Sequence, residues 1–166
     1  MKVALCHLEL SNGPEQKNIE LLEKAVRIAA EKGANWVITP ETAVQGYYFY
    51  KLEPETKVDK QPSSKLSFLL SLVKDYGLFL FLGCGEYDSE LNCNFNSCIV
   101  FEPSGEICGR HRKIISHGIG AESWARTADV LKPIDCLNIK VGVLVCADAW
   151  YLSLIHISEP TRLRRI

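Results

Sequence analysis

Three residues of complementary chemistry stand at the ends of apolar, strand-like runs. Glu41 follows Trp36–Thr39, Lys113 lies at the end of Ile107–Ile114, and Cys146 follows Val141–Val145. A thiol becomes a strong nucleophile once a base takes its proton, and a carboxylate can be that base. An ammonium can stabilise the negative charge that attack on a carbonyl builds on oxygen. Residues at the ends of buried strands are held rigidly where loops form a cleft. Composition alone leaves plainer readings open: Lys113 as a solvated surface lysine and Cys146 as a buried core thiol.

The elements that would position them follow from apolar spacing. Val3–Leu8 reads as a first strand, with Val3, Leu5 and His7 on one side. Ser11-Asn12-Gly13-Pro14 is a turn that delivers proline near a helix start. Ile19, Leu22, Val26 and Ala29 recur at helical spacing over Glu15–Lys32, and Gly33 suits the helix C-terminus. Trp36–Thr39 is a second strand that stops at Pro40. Thr42–Thr56 is an aromatic loop, and Ser63–Tyr76 a second helix with Leu66, Leu69, Leu70 and Val73 on one face. Leu78–Gly85 is continuously apolar, as in a strand covered on both faces. Ser97–Phe101 and Ile107–Ile114 flank a Pro103-Ser104-Gly105 turn, and Leu137–Ile139 and Val141–Val145 lead into Cys146. The order β-α-β-α-β-β-β-β predicts one α/β domain, with helices on one face of a largely buried mixed sheet.

Composition removes several classes. The chain is 47% hydrophobic and 23% charged, ordinary for a soluble globular protein. A net charge of −1 without a basic stripe argues against a nucleic-acid partner. The apolar runs are far shorter than a membrane span, and MKVALCHLEL lacks the make-up of a signal peptide, so no membrane association and a cytoplasmic location are expected. Seven cysteines, an odd number with no Cys-x-x-Cys pair, fit neither a disulfide scaffold nor a zinc ribbon. A metal site from Cys108, His111 and His117 matches no standard spacing, and no metal or cofactor is expected. His7, His111 and His117 offer a rival Cys–His dyad, but nothing in their context sets them beside Cys146.

PETAVQGYY (Pro40–Tyr48), GRHRKI (Gly109–Ile114) and GVLVCADAW (Gly142–Trp150) occur in this order. They resemble the three signature blocks of the nitrilase, or carbon–nitrogen hydrolase, superfamily. The helix with Asn18 and the run Gly33–Val37 before Pro40-Glu41 are similar too, so the resemblance covers residues 1–151. It implies Glu41 as general base, Lys113 as fixed cation and Cys146 as nucleophile, cleaving a small-molecule amide through a thioester. Glu122 matches a second glutamate that orients the lysine and the substrate. The backbone N–H of Ala147 would join Lys113 at the oxyanion. Tyr47, Tyr48, Phe49 and Trp150 could line a substrate pocket. Asp148 matches a frequent acidic position, equally suited to structure and to substrate binding. The implied fold is an α-β-β-α sandwich, usually oligomeric, of which residues 1–151 would be an incomplete part.

Two departures bear on substrate. Ala147 follows the cysteine where an aromatic residue or Asn is common, and Trp150 stands where many members have an Arg that grips a carboxylate or carbamoyl group. An aliphatic or hydrophobic amide is therefore expected, with nitrile or N-carbamoyl hydrolysis as alternatives on the same residues. Residues 152–166, LSLIHISEPTRLRRI, resemble a translated transposase sequencing adapter over Leu152–Arg162 and are set aside as non-native. The other alternative is that this chain is an inactive truncated fragment of such an enzyme.

Overall fold

The structure, a computed structural model, describes residues 1–10, 12–116, 120–151 and 153. Its strands are β1 (Val3–Leu5), β2 (Trp36–Ile38), β3 (Phe79–Asp88), β4 (Cys93–Phe101), β5 (Ile107–Arg112), β6 (Ile134–Cys136) and β7 (Ile139–Val141). Its helices are α1 (Glu15–Glu31), the short α2 (Phe49–Leu52) and α3 (Ser67–Tyr76). The first five strands form one sheet in sequence order. β1, β2 and β3 run parallel, and β4 and β5 return antiparallel. A parallel step needs a crossover. Here α1 and α3 supply the two crossovers and pack on the same face of the sheet.

That helix layer is where most of the core lies. α1 buries Ile19, Leu22, Val26 and Ala29, and α3 buries Leu69, Leu72 and Val73. They meet Val37, Leu80, Leu82, Ile99 and Phe101 from the sheet. Each such side chain contributes about 1.5–3 kcal/mol by leaving water. The opposite sheet face carries Phe79, Phe81, Cys98 and Val100, which pack against Ile134 and Cys136 of the β6–β7 hairpin and against Val143 and Val145. Gly109 permits this, since a Cβ there would stand 2.5 Å from Cγ2 of Ile134. The layering of helices, five-stranded sheet and hairpin is that of an incomplete α-β-β-α sandwich. Among the described residues no helix is long and apolar enough to cross a membrane.

Several elements differ from the sequence expectation. β1 ends at Leu5, and it is Ala4, Cys6 and Leu8 that pack on the core, while Val3 and Leu5 are exposed. β3 runs on to Asp88 and β4 begins at Cys93, because their ladder continues to the Asp88–Cys93 pair. Cross-strand pairing here overrides the poor strand propensity of Asn94 and Asn96. β5 closes at Arg112, one residue before Lys113. The largest correction concerns the approach to Cys146. Leu137 has φ 56 in the tight turn between β6 and β7, and residues 142–145 form no strand. Their apolar pattern reflects burial against the sheet face.

Candidate active site

Glu41 is fixed by a close crossing over β3. The Thr39 N–H donates to the Phe81 carbonyl at 3.0 Å, and the Thr39 hydroxyl accepts from Gly83 N–H at 2.9 Å. The chain then passes so near β3 that a Cβ on Gly83 would lie 2.1 Å from the Pro40 carbonyl oxygen. Thr42, with φ 48, turns it away, and buried Asn18 on α1 donates to the Val44 carbonyl at 3.2 Å.

The period of two along β5 separates two tasks. Arg110 and Arg112 bind buried Glu86, and Arg112 also pairs with Asp88 and lies over the Phe95 ring. His111 and Lys113 alternate to the other face. Lys113 prolongs the ladder by one bond, its N–H donating to the Asn96 carbonyl at 2.8 Å. Its side chain is 2% exposed and donates to Glu41 Oε1 at 2.7 Å and to Glu122 Oε1. Burial alone would push this ammonium down in pKa, but the hydrogen bonds to Glu122 and Glu41 overcome it and hold the pKa above the usual lysine value. Asn96 Nδ2 donates to the same Glu41 oxygen at 2.8 Å, which leaves Oε2 open to a proton. Glu122 ends a 3-10 turn and accepts from the Ser116 hydroxyl at 3.3 Å.

Cys146 opens a 3-10 turn, Cys146–Trp150, with φ 49. A non-glycine residue in this left-handed region is strained and presents its side chain outward from the chain reversal. The thiol is exposed, unlike those of Cys84, Cys98 and Cys136. Partial burial raises its pKa, and Glu41 raises it further through its charge and a hydrogen bond, against the opposing charge of Lys113. Glu41 and Lys113 thus act on the acidity of this thiol in opposite senses. A base, a nucleophile and a cation in this arrangement can carry out acyl transfer.

The remaining sequence candidates fall unevenly. Tyr47 is half-buried, and burial, then the Glu122 and Glu41 charges, push its hydroxyl pKa up. Ala147 is fully buried at the start of the turn. Trp150, at the end of that turn, is 71% exposed. Asp148 is fully buried and accepts from Ile114, Ile115 and Val145 N–H groups, with His111 Nε2 2.8 Å away. This binds His111 into the scaffold rather than to Cys146. His7 is exposed and His117 lies outside the described residues. Among the described residues no cluster of His, Cys, Asp or Glu could hold a metal ion. Sequence reasoning missed Gly83 and Asn96. The only signals were glycines breaking an apolar strand (Gly83, Gly85) and paired asparagines entering one (Asn94, Asn96).

The structure is a layered α/β domain with Glu41 and Lys113 just past two strand ends and Cys146 at the head of a 3-10 turn. The chain belongs to the carbon–nitrogen hydrolase family, whose sequence profile matches residues 2–161. That match runs into the adapter-like segment, which lies outside the described residues except for Ser153. The chain is 30% identical over 155 residues to a nitrilase of Pyrococcus abyssi, covering 91% of this chain and 57% of that protein. It is 30% identical over 148 residues to an omega-amidase of Xenopus laevis, covering 84% and 52%. The structure matches Nit3 of Saccharomyces cerevisiae, a member of branch 10 of the nitrilase superfamily. That match has a TM-score of 0.81 at 23% identity, over 95% of this chain and 59% of that one. The chain thus spans about half the length of the curated relatives it matches.

Proposed function

We propose that the protein hydrolyses a small non-peptide amide through Cys146. Glu41 takes the thiol proton through Oε2 as sulfur attacks the carbonyl carbon. Two Lys113 protons are held by Glu41 and Glu122, and the third, with the Ala147 N–H, meets the oxygen that becomes negative. The C–N bond then breaks, the nitrogen leaves as ammonia or an amine with the proton from Glu41, and a thioester remains on Cys146. Glu41 next deprotonates water, whose oxygen attacks the thioester carbon; the C–S bond breaks, the acid leaves, and Glu41 returns the proton to the Cys146 sulfur. A cavity of about 250 Å³ beside Glu41 and Cys146, walled by Trp36, Ile38, Phe81 and Val143, favours an aliphatic or hydrophobic amide. The reading calls for no cofactor or metal and for a homo-oligomer in the cytoplasm as the working form. The observation that carries it is the convergence of Lys113 and Asn96 on one oxygen of Glu41, with Glu41 and Cys146 lining the same cavity. Ammonia release from a panel of amides, nitriles and N-carbamoyl compounds, with Cys146→Ala as control, tests it. Turnover that survives this substitution contradicts it.

A further inference from the structure

β7 ends at Val141, so Gly142–Val145 take their place from side-chain packing and from one buried carboxylate. Asp148 Oδ2 accepts the Val145 N–H at 3.0 Å, immediately before Cys146. Oδ1 accepts the Ile114 and Ile115 N–H groups at 3.0 and 2.8 Å, immediately after Lys113. His111 Nε2 completes the set at 2.8 Å from Oδ2, with both side chains almost wholly buried. His111 Nδ1 is buried without a hydrogen-bond partner among the described residues. Facing a carboxylate, Nε2 is the donor, and Asp148 is the ring's one hydrogen-bond partner among the described residues. Burial would raise the carboxyl pKa of Asp148, but the bonds from His111, Ile115 and Val145 hold it below the usual value, so the group stays an acceptor on all sides.

We infer that Asp148, seated on His111, is a positioning residue that sets the distance between the Cys146 sulfur and the Lys113 ammonium by tying their two backbones together. The inference rests on the proposed role of Cys146 as nucleophile. The carboxylate touches neither sulfur nor lysine, so it acts through geometry. Its loss should slow acyl transfer while leaving substrate binding nearly intact. Asp148→Asn keeps the shape and one oxygen, but its amide N–H meets the Val145 N–H with no acceptor between them. His111→Gln places an amide nitrogen about where Nε2 stands and preserves the donor, whereas His111→Leu removes it.

The test is a comparison of the wild-type protein, Asp148→Asn, His111→Leu and His111→Gln by kcat, KM, melting temperature and the rate at which iodoacetamide alkylates Cys146. A misplacement near 1 Å at a reacting centre costs on the order of 100-fold in rate. Asp148→Asn should lose kcat on that scale with KM little changed and Cys146 alkylation altered, and His111→Gln should recover what His111→Leu loses. The inference is overturned if Asp148→Asn only melts lower, with kcat and alkylation unchanged well below its melt. If Asp148→Asn fails to fold, equal kcat in His111→Leu and His111→Gln overturns it. A wild-type Cys146 no more reactive than Cys93, with no amide turnover, would instead sink the amidase reading itself.

Discussion

Lys113 Nζ donates to Glu41 Oε1 at 2.7 Å although 72 residues of chain separate them. Everything that brings them together lies in the sheet: β2 delivers Glu41 past Gly83, and β5 delivers Lys113 opposite Asn96. The relationship fixes the charge balance at Cys146, because the same carboxylate that the lysine neutralises faces the thiol.

Replacing Glu41 by Gln should separate thiol acidity from catalysis. The Glu41 charge and hydrogen bond raise the Cys146 pKa, while Lys113 lowers it. Without the carboxylate the thiol pKa falls, and alkylation of Cys146 at neutral pH should become faster. Amide turnover should drop by about 10²–10⁴-fold, the scale of a lost general base. Rates of alkylation and ammonia release measured in parallel check both directions.

Lys113→Met should cost both stability and activity. It leaves buried Glu122 and half-buried Glu41 without their cation, a loss on the scale of about 3–5 kcal/mol for a broken buried pair. Turnover should fall at least about 10²-fold with the oxyanion donor gone. The pH sign follows from the raised folded pKa. The Lys113 contribution is fully present below the ordinary value of 10.5 and is lost only as pH rises through the higher folded value. Chemical unfolding between pH 7 and 12 should show this alkaline limb in the wild type and not in Lys113→Met.

Asp148 gives the opposite limb. Its folded pKa lies below the ordinary 3.8, so its contribution is present above that pH and is lost as pH falls through the lower folded value. Unfolding of Asp148→Asn should depend less on pH below 4 than that of the wild type.

Gly83→Ala tests the crossing that aims Glu41. The new Cβ would collide with the Pro40 carbonyl, so Pro40 and Glu41 must move. Overpacking of this kind costs about 1–3 kcal/mol. The melting temperature should fall, and turnover should fall more than stability alone explains.

The sequence carried the α/β order because the helical spacing of Ile19, Leu22, Val26 and Ala29 and the unbroken apolar run at β3 are local patterns. The positions of Glu41 and Lys113 just past strand ends were legible in the same way, and the three signature blocks suggested roles for them and for Cys146. What was hidden depends on contacts between distant segments. The side of β1 that faces the core follows from pairing with β2, not from its own alternation. The extension of β4 through Asn94 and Asn96 follows from the ladder with β3, and so does the bond from Asn96 to Glu41. The run before Cys146 looked like a strand because burial on one face leaves the same apolar mark whether or not the backbone pairs.

The central claim, that Cys146 attacks an amide with Glu41 as its base, is tested most directly by trapping the acyl group. The protein is mixed with a short aliphatic amide, quenched in acid within the first turnovers and digested for peptide mass spectrometry. The account predicts an acyl adduct on the peptide carrying Cys146, absent from the other six cysteines and strongly reduced in Glu41→Gln. An adduct on a different residue, or equal acylation of Cys146 in Glu41→Gln, would contradict it.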